Sequence, residues 1–261
     1  MVDFPWIRKE VIGDCTLYQG DMRDVLPALP EKADLCATDA PYKLTSGGRS
    51  ASMGGKFHPD RYDNKGELMQ VVPWKEMGVP IHNALKDQAD LYVMTSGDHV
   101  SASQIAFQAS GFKHHTICTW NKISPPRSRY YMKVQEFTHF MWKGPARDVR
   151  DGGVKTLFTC PAPRGLDWHP TPKPTALMAQ YVLQSSDAGW LVLDPFMGAG
   201  ATILAALAFG RRAIGVEIDP LFFDMTCARI KAAYLNGFQE IRDDWEHWRV
   251  ENRIKGHAYA A

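Results

Sequence analysis

The chain has 261 residues, 45% hydrophobic and 23% charged, which is globular composition with length enough for a sizeable core. A net charge of +1 excludes an overall basic protein, so any nucleic-acid surface has to be a local patch. The five cysteines, at 15, 36, 118, 160 and 227, are never in C-x-x-C spacing, which argues against a disulfide framework and a zinc site. No basic-then-apolar leader and no membrane-length apolar run is present, so the expectation is a soluble, cytoplasmic protein without a membrane partner.

In chain order, residues 15–21 read as a short strand ending in Gly20-Asp21, and residues 22–29 as a short helix that Pro30 helps to stop. Asp21 has two compatible readings: a cap of that helix, or a ligand contact at the carboxyl end of a strand, the edge where open α/β sheets bind. Residues 33–38 form an apolar strand that runs into Asp39-Ala40-Pro41-Tyr42. A carboxylate, a proline and an aromatic at a strand mouth suit a site, although Asp and Pro also form ordinary turns. From 43 to 80 the pattern is irregular and Gly-rich, with Lys43 and Arg49 among its cations. Such a connection fits either a basic flap over DNA or a solvated loop.

A helix is expected near 74–86, a strand over 89–95, a helix over 100–110 and paired strands over 112–120 and 136–142. Between the last two lie Lys122, Arg127, Arg129, Tyr130, Tyr131 and Lys133, a candidate phosphate-contacting and base-stacking strip. Residues 144–168 show little periodicity and are a candidate target-recognition region. His169-Pro170-Thr171-Pro172-Lys173-Pro174 precedes a helix over 175–184. No second ligand has a spacing that would make His169 a metal ligand.

The organising unit comes late. Residues 190–194 read as a buried strand, Asp194-Pro195-Phe196-Met197-Gly198-Ala199-Gly200-Ala201-Thr202 as a tight turn, and 203–209 as a helix. Gly198 and Gly200 let backbone approach a ligand, and the turn opens onto a helix N-terminus with free N–H groups. A second strand, 212–219, carries Glu217 and Asp219, placed to grip a ribose diol. The dinucleotide fingerprint fails, since its third glycine falls at Ile203. A last helix covers 221–235, and the polar tail 245–261 is expected to fray.

The Asp194-Pro-Phe-Met-Gly-Ala-Gly turn with Glu217 resembles the cofactor motif of S-adenosylmethionine (AdoMet) dependent DNA amino-methyltransferases. Asp39-Ala-Pro-Tyr resembles their Asp-Pro-Pro-Tyr tetrad, with Ala40 in place of the first proline, and His169-Pro-Thr-Pro-Lys-Pro resembles their His-Pro-Thr-x-Lys-Pro segment. The order of the three looks like the β class, a circularly permuted arrangement with the catalytic half first.

The resemblance implies a Rossmann-like α/β fold with a seven-stranded, mostly parallel sheet, one antiparallel strand and loop insertions for DNA recognition, in a single domain over 1–261. It implies AdoMet as cofactor and methyl transfer to the exocyclic N6 of adenine in DNA by base flipping. Asp39 and the Ala40 carbonyl would accept the amine hydrogens, Pro41 would stiffen the turn, and Tyr42 would stack on the everted base. Asp194, Pro195, Phe196, Gly198, Ala199, Gly200 and Thr202 would surround the cofactor, Asp39 beside them. Glu217 would accept from its ribose, Asp21 or Asp219 would stand near its adenine, and His169, Thr171 and Lys173 would lie at its methionine end. A homodimer is expected by family analogy. N4-cytosine transfer, a degenerate DNA-binding module and an NAD-dependent dehydrogenase stay open as alternatives.

Overall fold

The computed structural model describes residues 4–42, 71–125, 131–163 and 172–254. Among these, nine strands form one sheet: β1 Arg8–Ile12, β2 Cys15–Gln19, β3 Ala33–Asp39, β4 Leu85–Thr95, β5 Lys113–Asn121, β6 Gln135–Lys143, β7 Leu157–Thr159, β8 Leu191–Asp194 and β9 Arg212–Glu217. Their spatial order is β1-β2-β9-β8-β3-β4-β6-β5-β7. The run β2-β9-β8-β3-β4 is parallel throughout. β6 runs against both β4 and β5, and β1 against β2.

The expected seven strands, with β6 as the reversed one, are thus present, and two more extend the edges. β1 went unread because its sequence, Arg8-Lys9-Glu10-Val11-Ile12, is mostly charged and exposed. β7 went unread because it is three residues long, within a region of little periodicity.

Both faces of the sheet are covered, which is why its central strands are apolar without alternation. Leu35, Ala37, Tyr92, Met94 and Val192 pack with α4 Thr175–Ser185, α5 Ala201–Ala208, α6 Pro220–Leu235 and α7 Gln239–Glu251. The intervening Cys36, Leu91, Val93, Leu191 and Leu193 pack on the other face with α1 Met22–Val25, α2 Trp74–Ala84 and α3 Val100–Ala109. The expected helix over 22–29 is divided, α1 giving way to a 3-10 turn at Leu26–Ala28 where Pro27 enters. α4 is buried around its whole circumference and adds Tyr181 to an aromatic stack, 4.6 Å from Tyr92, which lies 4.8 Å from Phe140.

The tail is corrected: α7 is a docked helix and does not fray within the described residues. Ile241, Trp245 and Trp248 share one side of it, and Trp245 is 1% exposed with its ring stacked on Phe158 at 6.3 Å. This narrow apolar stripe is masked by the charged residues around it. The irregular reading of 43–80 is also corrected at its end, since α2 begins at Trp74. Residues 43–70 lie outside the described residues.

Candidate active site

β3 and β8 are adjacent and parallel, with Leu35 beside Val192 and Cys36 beside Leu193. Their carboxyl ends therefore deliver Asp39 and Asp194 to one edge. A cleft of about 410 Å³ opens there, lined on one side by Asp39, Ala40, Pro41, Tyr42, Glu136 and Lys173. Its other side carries Asp21, Asp194, Pro195, Phe196, Gly198, Ala199, Thr202, Glu217 and Asp219.

The glycine turn is held by backbone geometry. Gly200 has φ +76° and caps α5, and a Cβ there would sit 2.6 Å from Thr226 Cγ2. The Thr226 hydroxyl donates to the Gly198 carbonyl at 2.6 Å, and the Arg229 guanidinium donates to the Ala199 carbonyl. Gly215 in β9 is a further small-residue requirement, because a Cβ on it would lie 2.5 Å from Met197 Sδ in the turn.

Glu217 ties the turn to the end of β9. Its two carboxylate oxygens accept from Gly198 N and Asp219 N, each at 2.9 Å. Burial pushes its pKa up, opposed by those N–H donors. Asp219 accepts from Leu221 N at 2.8 Å and so caps α6, while Asp21 accepts from Arg23 N at 2.9 Å and caps α1. Both also line the cleft, so capping does not take Asp21 away from it. The Arg23 guanidinium holds the Asp21 carboxyl below its ordinary value.

Asp194 is 3% exposed and accepts from the Thr38 hydroxyl at 2.7 Å and from Phe196 N at 3.2 Å. Burial pushes it up to about 7 in spite of those donors.

On the other side the interactions are ionic. Lys173 Nζ bonds Asp39 Oδ2 and lies 3.5 Å from Glu136 Oε2, with its own side chain 9% exposed. Lys122 Nζ donates to Glu136 Oε1 at 3.1 Å. Burial raises the Asp39 pKa and the Lys173 charge opposes that rise. Asp39 Oδ1 and Glu136 Oε2 are buried and find no hydrogen-bond partner among the described residues. A buried carboxylate oxygen without a donor is costly, so an orphan at a cleft signals a missing one.

Tyr42 stands beside these groups, its ring 5.4 Å from His99 and 6.4 Å from Trp74. Trp74 and His99 are linked in turn, Nε1 to Nδ1 at 3.4 Å.

Other anticipated residues fall elsewhere. Lys122 is turned onto Glu136 with 18% of its side chain exposed, so the strip reading of it as an outward phosphate contact does not match its position. Lys133 is exposed and pairs with Asp98 at 2.9 Å. Lys43, Arg49, Arg127, Arg129, Tyr130, His169 and Thr171 lie outside the described residues.

Sequence reading missed Glu136, Thr226, Arg229 and Trp74. For Glu136 a signal exists: it is an acid at the start of the otherwise apolar segment Phe137-Thr138-His139-Phe140-Met141-Trp142.

A DNA methylase family profile of the N6/N4 type matches residues 33–227. The chain belongs to the N6/N4 DNA methylase family. The Type II methyltransferase M2.DpnII of Streptococcus pneumoniae is 26% identical over 225 residues, 78% of this chain and 84% of that protein. The DNA adenine methyltransferase YhdJ of Escherichia coli K12 is 26% identical over 255 residues, 84% of this chain and 83% of that protein. Among solved structures, the M1.HpyAVI–SAM complex superposes with a TM-score of 0.66 at 21% identity, covering 83% of this chain and 98% of that one. The cytosine-N4-specific PvuII methyltransferase gives 0.65 at 16% identity, covering 89% and 96%.

AdoMet is the cofactor of this methylase, and the cleft fits it. The turn presents Gly198 and Ala199 to the cleft at the mouth of α5, and carboxylates at Glu217, Asp219 and Asp21 suit a molecule rich in hydroxyls and amines. Among the described residues no group of three or more metal-ligating side chains occurs, and no helix is long and apolar enough to cross a membrane.

Proposed function

We propose that this methylase transfers a methyl group from AdoMet to the exocyclic N6 of adenine in DNA. The observation that carries the reading is the buried Asp39 Oδ1, an acceptor without a donor among the described residues, in the same cleft as the glycine turn. The relative named for adenine, YhdJ, supports the base, as does Asp39 at the head of the tetrad, since a leading Asp goes mostly with adenine in the family it resembles.

When bound, AdoMet supplies an electrophilic methyl on a sulfonium. The protein's task is to make a poor nucleophile attack it, because the amine lone pair of adenine is delocalised into the ring. Asp39 Oδ1 and the Ala40 carbonyl accept the two amine hydrogens and favour a tetrahedral nitrogen with its lone pair aimed across the cleft. Alanine supplies this carbonyl as well as proline does. The effect is orientation and electrostatic preorganisation; the methylated nitrogen gives up one proton after transfer, to Asp39 or to water, and Asp39 need not take it before. A base inside a duplex is out of reach, so it is everted, and Tyr42, backed by Trp74 and His99, forms the wall on which it stacks. Glu217 accepts from the ribose, Asp219 and Asp21 stand at the adenine end, and Lys173 faces the methionine end. A cytoplasmic location is consistent with action on DNA.

The test is Asp39→Ala, which is expected to bind AdoMet within a few-fold of the parent by calorimetry. Tritium transfer from labelled AdoMet to DNA should fall at least 1000-fold, on the order of 10³ as for loss of a preorganised acceptor. Transfer at the parental rate overturns the reading. Sequencing DNA from cells that express the protein, with a method that reports modified bases, identifies the base: N6-methyladenine supports the proposal, and N4-methylcytosine replaces it.

A further inference from the structure

Glu136 comes from a place where the catalytic pattern of the sequence does not look. Parallel strands bring the residues at their carboxyl ends to the cleft, but β6 is reversed, so its first residues arrive at that edge. Glu136 pairs across from Trp120 on β5, and Phe137, the next residue, lies beside Thr95 at the end of β4. The result is an alternating chain of charges from four elements: Lys122 just after β5, Glu136 on β6, Lys173 just before α4 and Asp39 on β3. Side-chain exposures along it are 18, 18, 9 and 27%. Among the described residues the other titratable groups at this cluster are the Tyr42 phenol and Asp194, both in the same cleft, and the buried Tyr181 phenol on the Glu136 side.

We propose that Glu136 is a positioning residue for methyl transfer: it shares the charge of Lys173 with Asp39 and so keeps Asp39 an electron-rich acceptor. The proposal rests on the role given to Asp39 above. A buried lysine with one carboxylate partner forms a tight pair that drains the acceptor strength of that carboxylate. A second carboxylate on the far side divides the interaction, and Lys122 behind it offsets the added negative charge. The chain carries two positive and two negative groups, which allows it to stay ionised away from water. The coulombic effects agree in sign: the Glu136 charge raises the proton affinity of Asp39, while Lys173 lowers it.

The experiment follows methyl transfer by Glu136→Gln, Glu136→Asp and Asp39→Ala from pH 5 to 9, on PCR-amplified genomic DNA free of modified bases. Thermal melts accompany each variant. Glu136→Gln is expected to lower kcat about tenfold, change the KM for AdoMet less than that, and move the acid limb of kcat to lower pH, because Asp39 becomes less basic. Glu136→Asp keeps the charge and should keep the acid limb in place, whatever its kcat. Three results overturn the proposal: an unchanged kcat and acid limb in Glu136→Gln, a loss of kcat with the limb unmoved, or a loss confined to the KM for AdoMet. If Glu136→Gln does not fold, a displaced limb in Glu136→Asp overturns it, and a limb that stays supports it. Should Asp39→Ala remain active, the reading of Asp39 falls; should Asp39→Ala be inactive and Glu136→Gln unaffected, only the inference falls.

Discussion

The two sides of the cleft are built on different physics. On the β8–β9 side every carboxylate is tied to backbone: Glu217 to Gly198 N and Asp219 N, Asp219 to Leu221 N, Asp194 to Phe196 N. On the β3–β6 side carboxylates meet ammonium groups, Glu136 Oε2 through Lys173 at 3.5 Å, and among the described residues Asp39 Oδ1 finds no donor. Bonds to backbone fix a shape and leave little reactivity to spare. Orphan acceptors cost stability and are retained where a ligand supplies the donor. On the proposed function, the first side is a holder and the second a reacting surface. The difference can be attacked at the residues that should behave in opposite ways.

The largest effect concerns Asp194, where the two sides touch through Thr38. Its folded pKa is pushed up to about 7, above the unfolded carboxylate value, so the fold favours the protonated form. Its contribution to stability is complete below about pH 4 and drains away as pH rises to about 7, with an upper bound of about 4 kcal/mol. Urea denaturation at pH 5 and pH 8 should therefore show a smaller difference in Asp194→Asn than in the parent. Equal differences in the two proteins would mean that Asp194 is ionised throughout, a plain member of the holder.

Gly200→Val addresses the holder directly. A side chain at φ +76°, with Cβ 2.6 Å from Thr226 Cγ2, strains the turn by about 2–3 kcal/mol. Calorimetry should show AdoMet affinity reduced roughly 30- to 100-fold, at 1.4 kcal/mol per decade. The ionic side lies on other elements, so single-turnover transfer at saturating AdoMet should fall much less. A loss of rate as large as the loss of affinity would merge the two sides into one.

Legibility in the sequence divides along related lines. β3, β8 and β9 were readable because strands buried on both faces are continuous apolar runs, and the residues after Thr38 and Leu193 break that run abruptly with Asp, Pro and an aromatic. Their meeting at one edge then follows from parallel pairing, and of the described members of the three motifs all but Pro174 and Gly200 line one cleft. Glu136 was harder to read, because an acid at the start of an apolar segment does not by itself say that β6 runs backwards and brings its first residues to the cleft edge. Lys122 was read as a phosphate-contacting cation for a related reason: its partner is fourteen residues away across a hairpin. β1 and α7 escaped because their few apolar residues are diluted by charge, and only the packing of Trp245 against Phe158 shows which side of α7 faces in.

Glu217→Gln gives the smallest effect and the finest discrimination. The amide retains one oxygen for Gly198 N or Asp219 N but replaces the other by an NH2 that faces a donor. One hydrogen bond to a charged acceptor is lost, about 1.5 kcal/mol, or roughly tenfold in AdoMet affinity. If Glu217 is only a strap for the turn, the loss should be the same for AdoMet and for the demethylated product, whose ribose is identical, and kcat should stay within about twofold. Competition binding with both molecules measures this. A variant that loses AdoMet affinity but keeps product affinity would show that the holder senses the methyl-bearing sulfonium, and the division of labour between the two sides would have to be redrawn with Glu217 among the reacting groups.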